Sequence, residues 1–124
     1  MIAAGKPGRI VFISSTVGLM GMAGYAQYAP SKFALRGLAE CLNQELAEQY
    51  GITAHVYFVA SIDTPGYAEE ERRKPAITRL LEGQDASDKS PEGRARVLID
   101  GLDRDNLFIA SDWFTRTLLS ASSG

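Results

Sequence analysis

Tyr28 and Lys32 stand four residues apart in the segment ISSTVGLMGMAGYAQYAPSK, residues 13–32. On a helix that spacing puts both side chains on one face, one turn apart. An ammonium beside a phenol favours the phenolate. A tyrosine in that setting can give a proton to a carbonyl oxygen as hydride arrives at the carbon, or take one from an alcohol in reverse. Ser15, thirteen residues before Tyr28, could hydrogen-bond the same oxygen and fix its position, and Ser14 is the neighbouring candidate. Strand alternation sends the two serines to opposite faces, so one of them is expected to meet Tyr28. A lone Tyr-x-x-x-Lys is more often a solvated pair with the lysine stem lying on the ring. What tips the balance is company: an apolar strand ending in Ser-Ser, a glycine-rich stretch, and a second strand ending nearby.

The positioning elements can be read from the rest of the chain. Ile10, Val11, Phe12 and Ile13 form a continuous apolar run, which fits a strand buried on both faces. From about Gly24 to Tyr50, Ala34, Leu38, Leu42 and Leu46 fall at intervals of four among glutamates and glutamines, the pattern of a helix with one apolar stripe. Pro30 is easiest to place if the helix starts close to Tyr28, where a missing N–H costs little. Gly51 is placed to end the helix, and ITAHVYFVA reads as a second strand. A βαβ unit of this kind is parallel with a right-handed crossover, so Ser14 and Ser15 should share a sheet edge with residues 60–64.

Thr64-Pro65-Gly66 signals a turn, and the charged stretch after it suggests one or two short helices interrupted near Pro75. Ser90-Pro91 opens a further helix with Val97, Leu98 and Leu102 on its buried side, then NLFIA suggests a short strand, and SASSG is expected to fray. The fold class is α/β: a partial doubly wound, Rossmann-like parallel sheet, corresponding to the second half of such a fold. A dinucleotide-binding sheet is built from two such halves, and about one is supplied here. Gly18, Gly21 and Gly24 are spaced G-x-x-G-x-x-G, not as the phosphate-binding G-x-G-x-x-G.

Composition narrows the function. A chain of 124 residues, 45% hydrophobic and 23% charged, fits one soluble globular domain. The formal charge of −2 gives no reason to expect nucleic acid or binding to a membrane by charge alone. Cys41 has no second cysteine to pair with, and with the lone His55 it makes no closed zinc site, so no metal is expected. Cys41 is expected to pack, His55 to be structural, and Gly37 to allow another helix close. Tyr25 could stack near the site or pack in the core. No apolar run approaches a membrane span.

GRIVFISS, YAPSK and the helix that follows resemble the catalytic half of the short-chain dehydrogenase/reductases. DTPGYAEE and KPAITRLLEG are similar to the branch that reduces 3-ketodihydrosphingosine with NADPH in sphingolipid synthesis. The resemblance implies Tyr28 as acid/base, Lys32 as its modifier and a donor to the nicotinamide ribose, and Ser15 or Ser14 as carbonyl anchor. It also implies cofactor contacts in the loop after the second strand, at Val59, Ile62 and Thr64. A lipid ketone substrate, with Ile77, Leu80 and Leu81 suited to its chain, a homo-oligomer through the long helix and the cytosolic face of the endoplasmic reticulum membrane follow by the same resemblance. Relatives commonly carry Pro-Gly or Pro-Pro where this chain has Val59-Ala60. The dinucleotide-binding half and the family's catalytic asparagine are missing, so residues 1–124 are expected to be the C-terminal catalytic portion of a longer domain. The alternatives are a related enzyme for a sterol, retinoid or small alcohol, and a non-catalytic remnant that pairs with a full-length partner.

Overall fold

The computed structural model describes residues 1–62 and 88–122. Three strands form one parallel sheet in the order β1-β2-β3: β1 Gly8–Ser15, β2 Ile52–Val59 and β3 Phe108–Ala110. Gly8 lies opposite Ile52 and Ser15 opposite Val59, so the carboxyl ends of the two strands are level. Helix α1 (Ala29–Tyr50) crosses from β1 to β2; α2 (Pro91–Asp103) precedes β3 and α3 (Trp113–Ser122) follows it.

Strand β2 is central and buried along almost its whole length, as a strand with neighbours on both sides and helices on both faces must be. Its alternation feeds two cores. Ala54, Val56 and Phe58 meet Ala39 of α1, with Phe12, Leu42, Phe108 and Leu119 around them. Tyr57 and Val59 meet Ile109 on the other face, under Val97, Leu98 and Leu102 of α2. Strand β1 departs from the expected two-sided burial. It has one strand neighbour among the described residues, Ile10 to Phe12 are not fully buried, and Ile13 is 48% exposed.

Helix α1 starts at Ala29, beside Tyr28 as Pro30 implies and five residues after Gly24. Gly24 takes φ +90°, and the Tyr25 carbonyl then accepts from both Tyr28 N (3.0 Å) and Ala29 N (2.8 Å), closing a turn before the helix begins. Pro30 occupies the first turn, where its missing N–H leaves nothing unpaired. Gly51 ends the helix at φ +64°, donating to Ala47 O and Leu46 O.

The inward stripe is also different from the one the fours suggest. Leu42 packs on the core and Leu46 is partly buried as expected, but Ala34 and Leu38 are exposed, and Ala29, Lys32, Arg36, Ala39 and Asn43 are buried or partly buried in their place. At 3.6 residues per turn, steps of four drift about 40° each, so a seam on a flat sheet must alternate threes and fours. Asn43 fixes the register of that seam: its Oδ1 accepts from Ala54 N at 2.7 Å and its Nδ2 donates to Ala54 O at 2.8 Å.

Ser90 caps α2 as expected, accepting from Gly93 N at 3.0 Å. Close packing at the other end requires Gly101, where a Cβ would stand 2.7 to 2.8 Å from three side-chain carbons of Ile109. His55 is buried and bonded at both ring nitrogens, Nδ1 donating to Asn106 O and Nε2 paired with Thr53 Oγ1, both at 2.8 Å. Cys41, expected to pack, is exposed, and a Cβ on Gly37 would meet nothing within 4 Å among the described residues. Both lie on the side of α1 turned away from the sheet.

Candidate functional site at the carboxyl edge

Strand β1 ends at the two serines and passes into a single 3-10 turn, Thr16–Gly18. The structure separates the two serines. Ser14 is 2% exposed and donates through Oγ to Lys32 O at 3.1 Å, binding the strand to the first turn of α1. Gly18 packs so tightly on this bond that a Cβ there would collide with Ser14 Oγ. Ser15 keeps partial exposure, and its Oγ accepts from Val17 N at 3.3 Å, capping the 3-10 turn. Ser14 is therefore committed to packing, which leaves Ser15 as the serine whose hydroxyl remains accessible at the sheet edge. No hydrogen bond joins Ser15 to Tyr28.

Tyr28 sits at the N-terminal boundary of α1 and is 44% exposed. Its ring lies 5.9 Å from that of Tyr25, tilted by 57°. The expected pairing with Lys32 is present: Nζ stands 5.2 Å from the Tyr28 ring centroid. Lys32 Nζ also donates to Ile13 O at 3.2 Å, so the ammonium is held between the helix and β1. The backbone carbonyl and the side chain of Lys32 are thus both tied to β1, one through Ser14 and the other at Ile13.

The loop after β2 carries the remaining candidates. Val59 is buried in the second core, and Ile62, partly buried, packs against it. Thr64, together with Ile77, Leu80 and Leu81, lies outside the described residues. An open cavity of about 640 Å³ lies before α1, lined by Met22, Tyr25, Ala29, Pro30 and Phe33 among others; Ser15, Tyr28 and Lys32 do not line it.

Two buried polar groups were not anticipated from the sequence. Arg94 is nearly inaccessible and donates through Nε (3.2 Å) and Nη2 (3.0 Å) to Ser61 O, while its backbone carbonyl accepts from Tyr57 Oη at 2.8 Å. Burial pushes the Tyr57 phenol up to about 12; the Arg94 charge works against that rise and Asp112 adds to it. The second group is a chain of hydroxyls ending on Asp112, the residue before α3. Helix α3 itself went unread in the sequence, although an aspartate three residues before a threonine is an acceptable helix start. Among the described residues no cluster of metal-ligating groups occurs, and no helix is long and apolar enough to cross a membrane.

Comparison with known proteins bears directly on this geometry. The family model "short chain dehydrogenase" matches residues 1–75, which include β1, the serines, Tyr28, Lys32 and the end of β2. The chain belongs to the short-chain dehydrogenases. Members of this family work with a nicotinamide dinucleotide. Similar curated proteins include a 3-ketodihydrosphingosine reductase of Dictyostelium discoideum, 43% identical over 97% of this chain and 35% of the relative. A 3-dehydrosphinganine reductase of Danio rerio is 45% identical over 76% of this chain and 28% of the relative. A 3-ketodihydrosphingosine reductase of Mus musculus is 39% identical over 93% and 35% respectively. The chain thus spans about a third of the length of the relatives it matches. Among solved structures, a short chain dehydrogenase/reductase from Burkholderia phymatum in complex with NAD superposes with a TM-score of 0.71 at 19% identity, covering 99% of this chain and 48% of that one. That likeness establishes the Rossmann-like fold of the three parallel strands and their helices.

Proposed function

We propose that this chain carries the proton-transfer portion of an NADPH-dependent reductase that converts 3-ketodihydrosphingosine to dihydrosphingosine. The observation that carries the reading is the placement of Lys32: its ammonium lies beside the Tyr28 ring and is anchored on Ile13 O, at the edge where Ser15 ends β1. The similarity to 3-ketodihydrosphingosine reductases supports the substrate, and the apolar cavity beside Tyr25 suits a lipid chain.

The residues fit the nicotinamide-ribose end of the cofactor. A lysine ammonium has three donors, and Lys32 spends one on Ile13 O, which leaves donors for ribose hydroxyls. Gly18, Gly21 and Gly24 do not have the G-x-G-x-x-G spacing of a phosphate cradle, so the fit concerns the ribose end. When bound, the cofactor supplies the hydride. Ser15 Oγ donates to the ketone oxygen and orients it, and the Tyr28 hydroxyl gives that oxygen its proton as the C–O double bond becomes a single bond. Lys32 keeps positive charge beside the phenol as the proton leaves. Self-association through the exposed row Phe33, Gly37, Leu38 and Cys41 of α1 belongs to the same reading, as does work at the cytosolic face of the endoplasmic reticulum.

A second reading, in which the chain pairs with a full-length partner and does no chemistry itself, draws on β1, which has one strand neighbour among the described residues and an exposed Ile13. NADPH titration separates the two. Saturable binding and NADPH oxidation on adding 3-ketodihydrosphingosine support the reductase, and Tyr28→Phe should cut turnover by about 10² to 10⁴-fold with cofactor affinity nearly unchanged. No binding at millimolar NADPH would remove catalysis by this chain alone, and faster oxidation with a steroid ketone would move the substrate to a different branch of the family.

A further inference from the structure

Three segments reach the carboxyl edge of the sheet, and one carboxylate is linked to the other two through a single hydroxyl each. Asp112 is 5% exposed. Its Oδ1 accepts from Thr115 Oγ1 at 2.6 Å and from Ser111 Oγ at 2.8 Å, and its Oδ2 accepts from Thr115 N at 3.2 Å. Because a hydroxyl has one hydrogen, these bonds set the direction of everything beyond them. Thr115 spends its hydrogen on Asp112, so in the 2.7 Å contact with Thr16 the threonine at 16 donates. Ser111 spends its hydrogen on Asp112 as well, and its oxygen then accepts from Ala60 N at 2.9 Å. The result is a branched network whose root is Asp112. One branch runs through Thr115 to Thr16, the residue next to Ser15. The other runs through Ser111 to Ala60, the residue that opens the loop to Ile62.

We propose that Asp112 is a positioning residue that holds the two sides of the reaction site relative to each other, the carbonyl-anchoring Ser15 through Thr115 and the cofactor-side loop through Ser111. The proposal rests on the reductase reading for what those two sides do, but the network itself stands on its own distances. A cap serving α3 alone would need only the bond from Thr115 N. The two hydroxyl bonds to Oδ1 instead lead on to Thr16 after β1 and to Ala60 after β2, and satisfy polar groups that would otherwise need water.

The branches can be cut separately in the full 124-residue chain. Thr115→Val removes the hydroxyl to Thr16 and leaves Ser111 in place; Ser111→Ala does the reverse. Amide hydrogen exchange reads the linkage without any need for turnover. Ser111→Ala should speed exchange at Ala60 N about three- to tenfold and leave Val17 N, which bonds to Ser15 Oγ, unchanged. Thr115→Val should do the opposite, Asp112→Asn should speed both, and Thr115→Ser should restore the unsubstituted rates. In NADPH-supplied turnover, the same split appears as a fall in kcat for Thr115→Val and a weaker NADPH affinity for Ser111→Ala, each about three- to tenfold. Exchange that rises equally at both amides in every variant, or at neither, would overturn the proposal. Branch-specific exchange in a chain that reduces no ketone would keep the positioning network and discard the reductase reading. Should Thr115→Val fail to fold, Ser111→Ala against the unsubstituted chain still decides the Ala60 branch.

Discussion

Removing one buried hydroxyl should change how this protein responds to alkali. Tyr57 is 3% exposed, between Ile109 and the helix above it, and its hydroxyl donates to Arg94 O at 2.8 Å. Burial raises its pKa from 10.0 to about 12. In the unfolded chain the phenol ionises near its ordinary value, so between pH 10 and 12 the unfolded state has lost a proton that the folded state keeps. Stability therefore falls as pH rises through that window, and it is unaffected by this group below it. Two pH units correspond to about 3 kcal/mol in all, and about half of that at pH 11. Tyr57→Phe removes the titration and the hydrogen bond together. At pH 8 the variant should be less stable by about 1 kcal/mol, the net worth of the lost bond. At pH 11 that deficit should vanish or reverse, because only the unsubstituted chain pays for the buried phenol. Urea unfolding of both proteins at pH 8, 10 and 11 measures the difference directly, with contributions from the other tyrosines and the lysines cancelling between the two. A difference that stays constant across that range would refute the buried, hydrogen-bonded phenol.

Two further substitutions test the edge and the helix end. Ser14→Ala should lower stability by about 1 kcal/mol through loss of the bond to Lys32 O, whereas Ser15→Ala should lower ketone turnover with a smaller change in the urea midpoint; the reverse pattern would exchange their roles. Gly51→Ala should cost about 1 to 2 kcal/mol in urea unfolding, because φ is +64° there and the new Cβ would press on Pro7 at 3.3 Å; an unchanged midpoint would mean that the helix end relaxes freely.

The sequence disclosed some of this architecture for sound physical reasons and hid the rest for equally sound ones. The βαβ order and the parallel sheet follow from ITAHVYFVA, whose apolar continuity reflects burial on both faces, and from Gly51, which only a helix end needs in this context. Alternation separated Ser14 from Ser15 but could not rank them. Their ranking depends on which strand face receives α1, and Ser14's bond to Lys32 O spans 18 residues. Pro30 marks the start of α1 beside Tyr28, whereas the apolar periodicity runs back to Gly24 because Tyr25 to Tyr28 make helix-like hydrogen bonds in a turn that Gly24 sets apart. Arg94 was passed over because an arginine is ordinarily solvated; here Ser61 O takes two of its donors. The Asp112 network was invisible for a related reason: Thr16 and Thr115 are 99 residues apart, and no local spacing encodes their meeting.

The placement of Tyr28 depends on helix α1 as a rigid body more than on any contact of the tyrosine itself. Tyr28 lies half-exposed at the helix start, where a terminus ordinarily frays. Three ties to the sheet oppose fraying. Ser14 Oγ holds the Lys32 carbonyl, Ile13 O holds the Lys32 ammonium, and the paired bonds of Asn43 to Ala54 hold the helix eleven residues further on. The first two act within one turn of Tyr28 and the third prevents the helix from sliding or rotating about them. Ala39, with no exposed surface, sits between these ties and brings the helix backbone close to β2. A serine, a lysine and an asparagine on one seam thus convert the stability of the buried strand into a fixed position for an exposed phenol.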